Sequence, residues 1–142
     1  MSNVLTTEEM AMPFTPAELE FLHEAQIGRL CTISAAGRPQ IRPVGVHLAA
    51  DGDGIEIVGH ALAGTQKWRN VLGNPEVAFI VDTVTSLEPP RARGLEIRGT
   101  ARAFPGAGTT EGGLSGDIIH IRPRRIISWG IDGDRVAGRD VE

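Results

Sequence analysis

Apolar residues recur along this chain at two different spacings. Leu19, Phe21 and Leu22 fall as on one face of a helix, behind a start signal, Thr15-Pro16-Ala17-Glu18. There Thr15 caps, Pro16 takes the first helical position and Glu18 reaches back to the cap. Phe14 and Leu19 stand at the spacing of a hydrophobic staple, and Gly28 is the predicted stop. Beyond it the period shortens. Arg29–Ala35 reads as a strand with β-branched Thr32 and Ile33, Ala36-Gly37-Arg38-Pro39 as a turn, and Gln40–Leu48 as a second strand. Pro43 inside that run cannot donate to a ladder, so it marks an edge, a bulge or a place where something other than a strand lies alongside. Asp51-Gly52-Asp53-Gly54 is a hairpin turn, and Ile55–Gly59 returns from it.

Thr65–Leu72 is predicted to be a short helix capped by Thr65, with Trp68, Val71 and Leu72 as its apolar stripe and Gly73-Asn74-Pro75 as its end. Val77–Val81 reads as an apolar strand and Ser86–Arg93, with two prolines, as an extended loop. Leu95–Ala103 alternates, with Leu95, Ile97, Ala101 and Ala103 on one side and Glu96, Arg98, Thr100 and Arg102 on the other. A Gly-rich loop, Pro105–Gly116, precedes two strands, Ile118–Ile121 and Ile126–Trp129, joined through Pro123. The ordered core is expected over about residues 14–131, as one domain with polar tails at both ends, the last fraying from Asp132. Short strands with small helical additions imply a mostly-β fold, an antiparallel barrel or sandwich, in which one face of several strands is wet or covered by a partner.

Composition narrows the function. The net charge of −4 gives no long-range field for a polyanion, so any anion site must be local and nucleic acid is not expected as a partner. No apolar run reaches the ~18 residues a membrane span requires. Met1–Met12 carries Glu8 and Glu9 and lacks the basic start and apolar stretch of a signal peptide, and Cys31 is the only cysteine. Both point to a cytoplasmic protein away from membranes. The four histidines have no metal-ligand spacing; His60 alone lies beside a candidate site. Cys31, in an apolar run, reads as a small hydrophobe, and Arg122, Arg124 and Arg125 as a solvated turn.

That candidate site is Gly64-Thr65-Gln66-Lys67. A helix N-terminus offers unpaired N–H groups and a positive dipole end, and a lysine in that first turn is disfavoured unless an anion meets it. Thr65 and Gln66 would add donors. A solvated lysine on an ordinary helix explains the same residues equally well. Arg38 and Arg42 precede this helix on the strand pair, and Pro43 with Gly45 could present bare backbone to a flat ring or simply turn a barrel corner.

Three stretches in order carry a resemblance: Gly37-Arg38-Pro39-Gln40-Ile41-Arg42-Pro43-Val44, Thr65-Gln66-Lys67-Trp68-Arg69-Asn70-Val71 and Asn74-Pro75-Glu76-Val77-Ala78. Together they resemble the pyridoxamine 5′-phosphate oxidase-like, FMN-binding split-barrel superfamily. Arg93–Gly99 and Arg122–Ile131 are similar to its deazaflavin branch, the coenzyme F420-dependent oxidoreductases. The resemblance spans about residues 15–131. It implies a six-stranded antiparallel split barrel and a homodimer with cofactors in grooves at the subunit boundary. Lys67 would meet the cofactor phosphate beside Thr65 and Gln66. Arg42, Pro43, Val44 and Gly45 would line ring and chain, Gly59 and His60 would end the neighbouring strand, and Arg98 and Trp129 would form a groove wall, from the second subunit in one arrangement. The chain lacks the C-terminal substrate segment of true pyridoxamine phosphate oxidases. The implied activity is hydride transfer from F420 to a small electron-poor substrate. FMN in the same groove, or non-catalytic binding of a flavin, haem or other tetrapyrrole, are the alternatives.

Overall fold

The computed structural model describes residues 12–133 and 135–142. The segment before residue 12, where a polar tail is predicted, lies outside the described residues. The capping box forms as the sequence indicates: Glu18 N–H donates to Thr15 Oγ1 at 3.1 Å and Thr15 N–H to Glu18 Oε1 at 2.9 Å, starting helix α1 (Pro16–Glu24). The strands are β1 (Ile27–Ile33), β2 (Pro39–Gly45), β3 (His47–Leu48), β4 (Ile55–Ile57), β5 (Glu76–Leu87), β6 (Pro90–Phe104), β7 (Ile118–Trp129) and β8 (Ala137–Asp140). Helix α2 (Gln66–Gly73) lies between β4 and β5.

All strand pairs are antiparallel, in the order β2-β1-β5-β6-β7-β4-β3, with β8 added to β7. The two ends of that order, β2 and β3, are joined by Val46 alone. Two trans peptide steps of ~3.8 Å each cannot bridge an open sheet, so the sheet curls until its edges stand side by side. The edges do not pair with one another, which leaves a barrel split along one seam. The mostly-β split barrel inferred from the sequence is the fold observed. Its inner face carries the core: Leu30, Phe79, Ile97, Ile126, Ile55, Ile57, Ile119 and Ile121, closed at the ends by Leu22 of α1 and Trp68 of α2.

Several expectations are corrected. Gly28 does not stop α1. The helix ends at Glu24 and Gly28 lies inside β1, where a Cβ would stand 2.4 Å from the Phe79 ring. Gln40–Leu48 is not one strand: at Val46, whose N–H donates to the Gln26 carbonyl at 3.2 Å, the chain leaves one sheet edge for the other. Ser86–Arg93 is not a loop but the far end of the β5–β6 hairpin, with Leu87 opposite Pro90. Those residues touch mainly each other and solvent, so no burial period marks them. Pro123 does not divide the last strand. Residues 119–121 of β7 pair with β4 and residues 125–128 with β8, so Pro123 falls in the gap between these partners, where a missing N–H costs least. Across from it β6 bulges at Arg98/Gly99 and Gly99 is required, a Cβ there lying 2.0 Å from the Arg122 carbonyl oxygen. Arg122, Arg124 and Arg125 are therefore strand residues. Leu72 is not part of the α2 stripe; it is 66% exposed, and Asn70 takes the buried place instead. Cys31 is half-buried on the outer face beside Ile41 and Ala78.

The C-terminal segment does not fray. β8 brings Arg139 onto Glu18, whose side chain is fully buried; Nη1 donates to Oε2 at 2.8 Å, and Nη2 to Oε1 and to the Pro13 carbonyl. The Glu18 hydrogen bond holds the Arg139 guanidinium above its usual value, against the opposing effect of burial.

Candidate anion-binding site

Residues directly opposite in an antiparallel ladder project to the same face. One inner row runs Arg42–Leu30–Phe79–Ile97–Ile126–Arg139 across β2, β1, β5, β6, β7 and β8. It is apolar in the middle and ends in an arginine on each side. Arg139 meets the buried Glu18. Among the described residues Arg42 meets no carboxylate: it lines a cleft of about 380 Å³ with Leu30, Thr32, Gln40, Ile41, Gln66 and Lys67.

The cleft lies between the edge strand β2 and the first turn of α2. Thr65 caps that helix, accepting from the Trp68 N–H at 3.3 Å while its hydroxyl donates to the Leu62 carbonyl at 2.6 Å. The cap leaves the N–H groups of Gln66 and Lys67 without an intrahelical acceptor, at the positive end of the helix. Burial, and then the neighbouring Arg42 guanidinium, push the Lys67 ammonium below the ordinary lysine value. None of the ion pairs among the described residues involves Lys67 or Arg42. Two cations, two free amides and no acid in the lining make a receptor for an anion, and the donor set fits a phosphoryl group.

The predicted residues divide. Arg42, Gln66 and Lys67 come together at the cleft. Thr65 supports it but its hydroxyl is spent on the cap, and Gln66 spends one amide N–H on Asn70 Oδ1 at 2.8 Å and keeps the other. Pro43, Val44 and Gly45 continue β2 away from the cleft, Val44 against the core. His60 turns to the Gly-rich loop, its Nδ1 2.9 Å from the Gly113 carbonyl oxygen, and the Gly59 carbonyl accepts from Ser115 N–H at 2.9 Å. Arg98 projects from the outer face, in the row Ile41–Cys31–Ala78–Arg98–Arg125, and is paired with Glu96 at 2.7 Å. Trp129 covers Gly94 on that same outer side.

Sequence reading missed the polar floor formed by Asn70, Thr32 and Gln40. The Asn70 amide donates to Thr32 Oγ1 at 2.9 Å and to Gln40 Oε1 at 2.8 Å. Its signals were present: Gln66 and Asn70 are four apart on one helix, and Thr32 and Gln40 lie equally far from the β1–β2 turn. A second cleft, about 420 Å³, is lined by Asp51, Asp53, Glu56, Phe104 and His120 among others. It is larger, but acidic. Hydrogen bonds from the Asp53 side chain and backbone hold the Asp51 carboxyl below the usual carboxylate range. Of these two clefts, the smaller is the one suited to an anion.

A family model described as pyridoxamine 5′-phosphate oxidase matches residues 14–127. The chain belongs to that family. It is 41% identical over 128 residues, 89% of this chain and 90% of the relative, to a 5a,11a-dehydrotetracycline/5a,11a-dehydrooxytetracycline reductase of Streptomyces rimosus. With a reductase this similar, the chain is an oxidoreductase of the family. Among solved structures, one described as an F420 reductase superposes with a TM-score of 0.57 at 27% identity, covering 75% of this chain and 93% of that one. A pyridoxamine 5′-phosphate oxidase-related, FMN-binding protein of Nostoc punctiforme shares the fold, with a TM-score of 0.63 at 10% identity over 92% and 99% of the two chains. No helix among the described residues is long and apolar enough to cross a membrane.

Proposed function

We propose that this oxidoreductase uses the deazaflavin F420 to reduce an unsaturated, electron-poor small molecule in the cytoplasm. The observation that carries this reading is the cleft of Arg42 and Lys67, cationic, free of carboxylates and open at the sheet edge. The resemblance implies a cofactor held by its phosphoryl group, and this cleft carries donors for one. The likeness to an F420 reductase supports the deazaflavin, and the dehydrotetracycline reductase supports an unsaturated polycyclic substrate.

In this reading Lys67 and Arg42 hold the phosphoryl oxygens, and the amides of Gln66 and Lys67 cap them. The edge of β2 through Pro43, Val44 and Gly45 runs alongside the chain and ring. When bound, the reduced cofactor supplies the hydride. No carboxyl or imidazole group lines the cleft and Lys67 is engaged with the phosphoryl group, so in this reading the proton comes from solvent. In this reading a second copy completes the groove over Ile41, 61% exposed on the cleft rim, and Leu72 on α2. Arg98 and Trp129 of that copy, and Gly59 with His60 near the Gly-rich loop, form the outer wall of the homodimer's groove.

FMN is the second reading, because the cleft recognises the phosphoryl group the two cofactors share and the Nostoc punctiforme protein binds FMN. The cleft lining offers no His, Cys, Met or Tyr to a haem iron. The purified protein should be scanned for absorbance and then titrated with F420 and FMN, following fluorescence. Tighter binding of F420 than FMN is expected; retention of FMN through purification with no response to F420 would replace the first reading by the second.

A further inference from the structure

We propose that Asn70 is the positioning residue of the anion cleft, the group that fixes the distance between its two cations. The inference rests on the reading of this cleft as a phosphoryl site. Lys67 is carried by α2 and Arg42 by β2, and no backbone bond joins these elements. Their charges repel, so left alone helix and edge strand move apart. The Asn70 side chain, 3% exposed, is the tie between them. Its Oδ1 accepts from Gln66 Nε2 at 2.8 Å, next in sequence to Lys67. Its Nδ2 donates to Gln40 Oε1 at 2.8 Å, two residues before Arg42 on the same face of β2, and to Thr32 Oγ1 at 2.9 Å on β1. The Gln66 side chain is held in turn at its Oε1, which accepts from Arg69 Nη2 at 2.9 Å, and Arg69 Nη1 donates to the Gly64 backbone carbonyl at 3.1 Å.

One carboxamide thus spends both N–H groups on the strands and its oxygen on the helix. It touches no ligand position itself; it acts through Lys67 by holding the site in its binding geometry before the anion arrives. A residue that only stabilised the fold would lower affinity regardless of whether Lys67 were present. A positioning residue loses the charge it holds in place once Lys67 is gone, and its own removal then costs little.

The test is a double-mutant cycle on the full chain, with inorganic phosphate as the probe and the amide NMR signals of residues 66 and 67 as the readout. Wild type should show saturable shifts at both amides. Asn70→Ala should bind phosphate about tenfold more weakly, the loss typical when a group that orients a ligating residue is removed. In the Lys67→Ala background, adding Asn70→Ala should change the affinity by less than about twofold. If Asn70→Ala does not fold, Thr32→Val, which keeps shape and removes one acceptor of the tie, should give a smaller loss that also vanishes without Lys67. Wild-type affinity in Asn70→Ala, or losses that multiply across the cycle, would overturn the proposal. So would the absence of any phosphate shift in wild type, which removes the anion site as well. Phosphate binding with this coupling but no response to F420 or FMN would sink the cofactor reading and leave Asn70 in its role.

Discussion

Two cations facing one cleft, with no counterion among the described residues, raise the free energy of the empty protein, and an anion relieves it. Replacing Lys67 with Ala should therefore cost ~1.5–3 kcal/mol of cofactor affinity, the range for a charged hydrogen bond, measured by fluorescence titration at fixed ionic strength. The depressed Lys67 value gives the pH dependence its sign. Only the ammonium form holds the phosphoryl group, so affinity falls as pH rises through a value below that of a free lysine. The empty protein behaves oppositely: its folded-state value lies below the unfolded one, so its stability rises as the proton is lost. Titrations from neutral pH upward should show the two slopes diverging, and Lys67→Arg should flatten both. Lys67 could be singled out in the sequence because a cation in a first helical turn breaks a local rule. Asn70 could not, because its meaning depends on two strands that meet it only in the folded chain.

At the level of elements, ladder register and close approach decide what a residue does. Gly94 falls between the predicted loop and the predicted strand, yet it lies inside β6, where a Cβ would stand 2.1 Å from Trp129 Cζ2. Gly94→Ala should cost about 1–3 kcal/mol in urea unfolding, as overpacking does, and shift the tryptophan emission. The Glu18–Arg139 pair joins the two ends of the described chain. Arg139→Ala would leave a buried carboxylate without its counterion. The expected loss is about 2–3 kcal/mol, below the range for a fully enclosed pair because Arg139 keeps 38% of its side-chain exposure. The exposed Arg124–Glu76 pair is the control, and Arg124→Ala should leave the unfolding midpoint unchanged. The capping box, the α2 cap and the alternation of β6 were legible because each is written within a few neighbouring residues. The β5–β6 hairpin end, the uninterrupted β7 and the docked β8 were not. Their pairing rests on contacts made across the sheet; Pro123 carries a breaking signal that the gap between β4 and β8 makes harmless, while Pro89 and Pro90 stand at the tip of the β5–β6 hairpin.

For the whole molecule, the barrel was readable from the succession of short strands and turns and its split from the family resemblance, while the place of the seam was not, since only the single-residue step at Val46 shows where the edges meet. The seam leaves β2 exposed along its length, with Ile41 open to solvent on the rim of the cleft. If a second copy covers that rim, Ile41→Asp should shift the sedimenting species from dimer to monomer and weaken the cofactor in step, whereas a wild-type protein that sediments as a monomer would mean the groove is complete within one chain. The central claim, that a phosphoryl-bearing cofactor seats on Lys67, can be tested without any substrate, because Lys67 is the sole lysine of the chain. An amine-selective reagent should label it readily in the free protein, with the modified peptide quantified by mass spectrometry. Saturating F420 should slow that labelling severalfold or more, as should FMN at higher concentration, each in proportion to occupancy. Labelling of Lys67 at the same rate with the cofactor demonstrably bound would contradict the claim and place the cofactor elsewhere on the barrel.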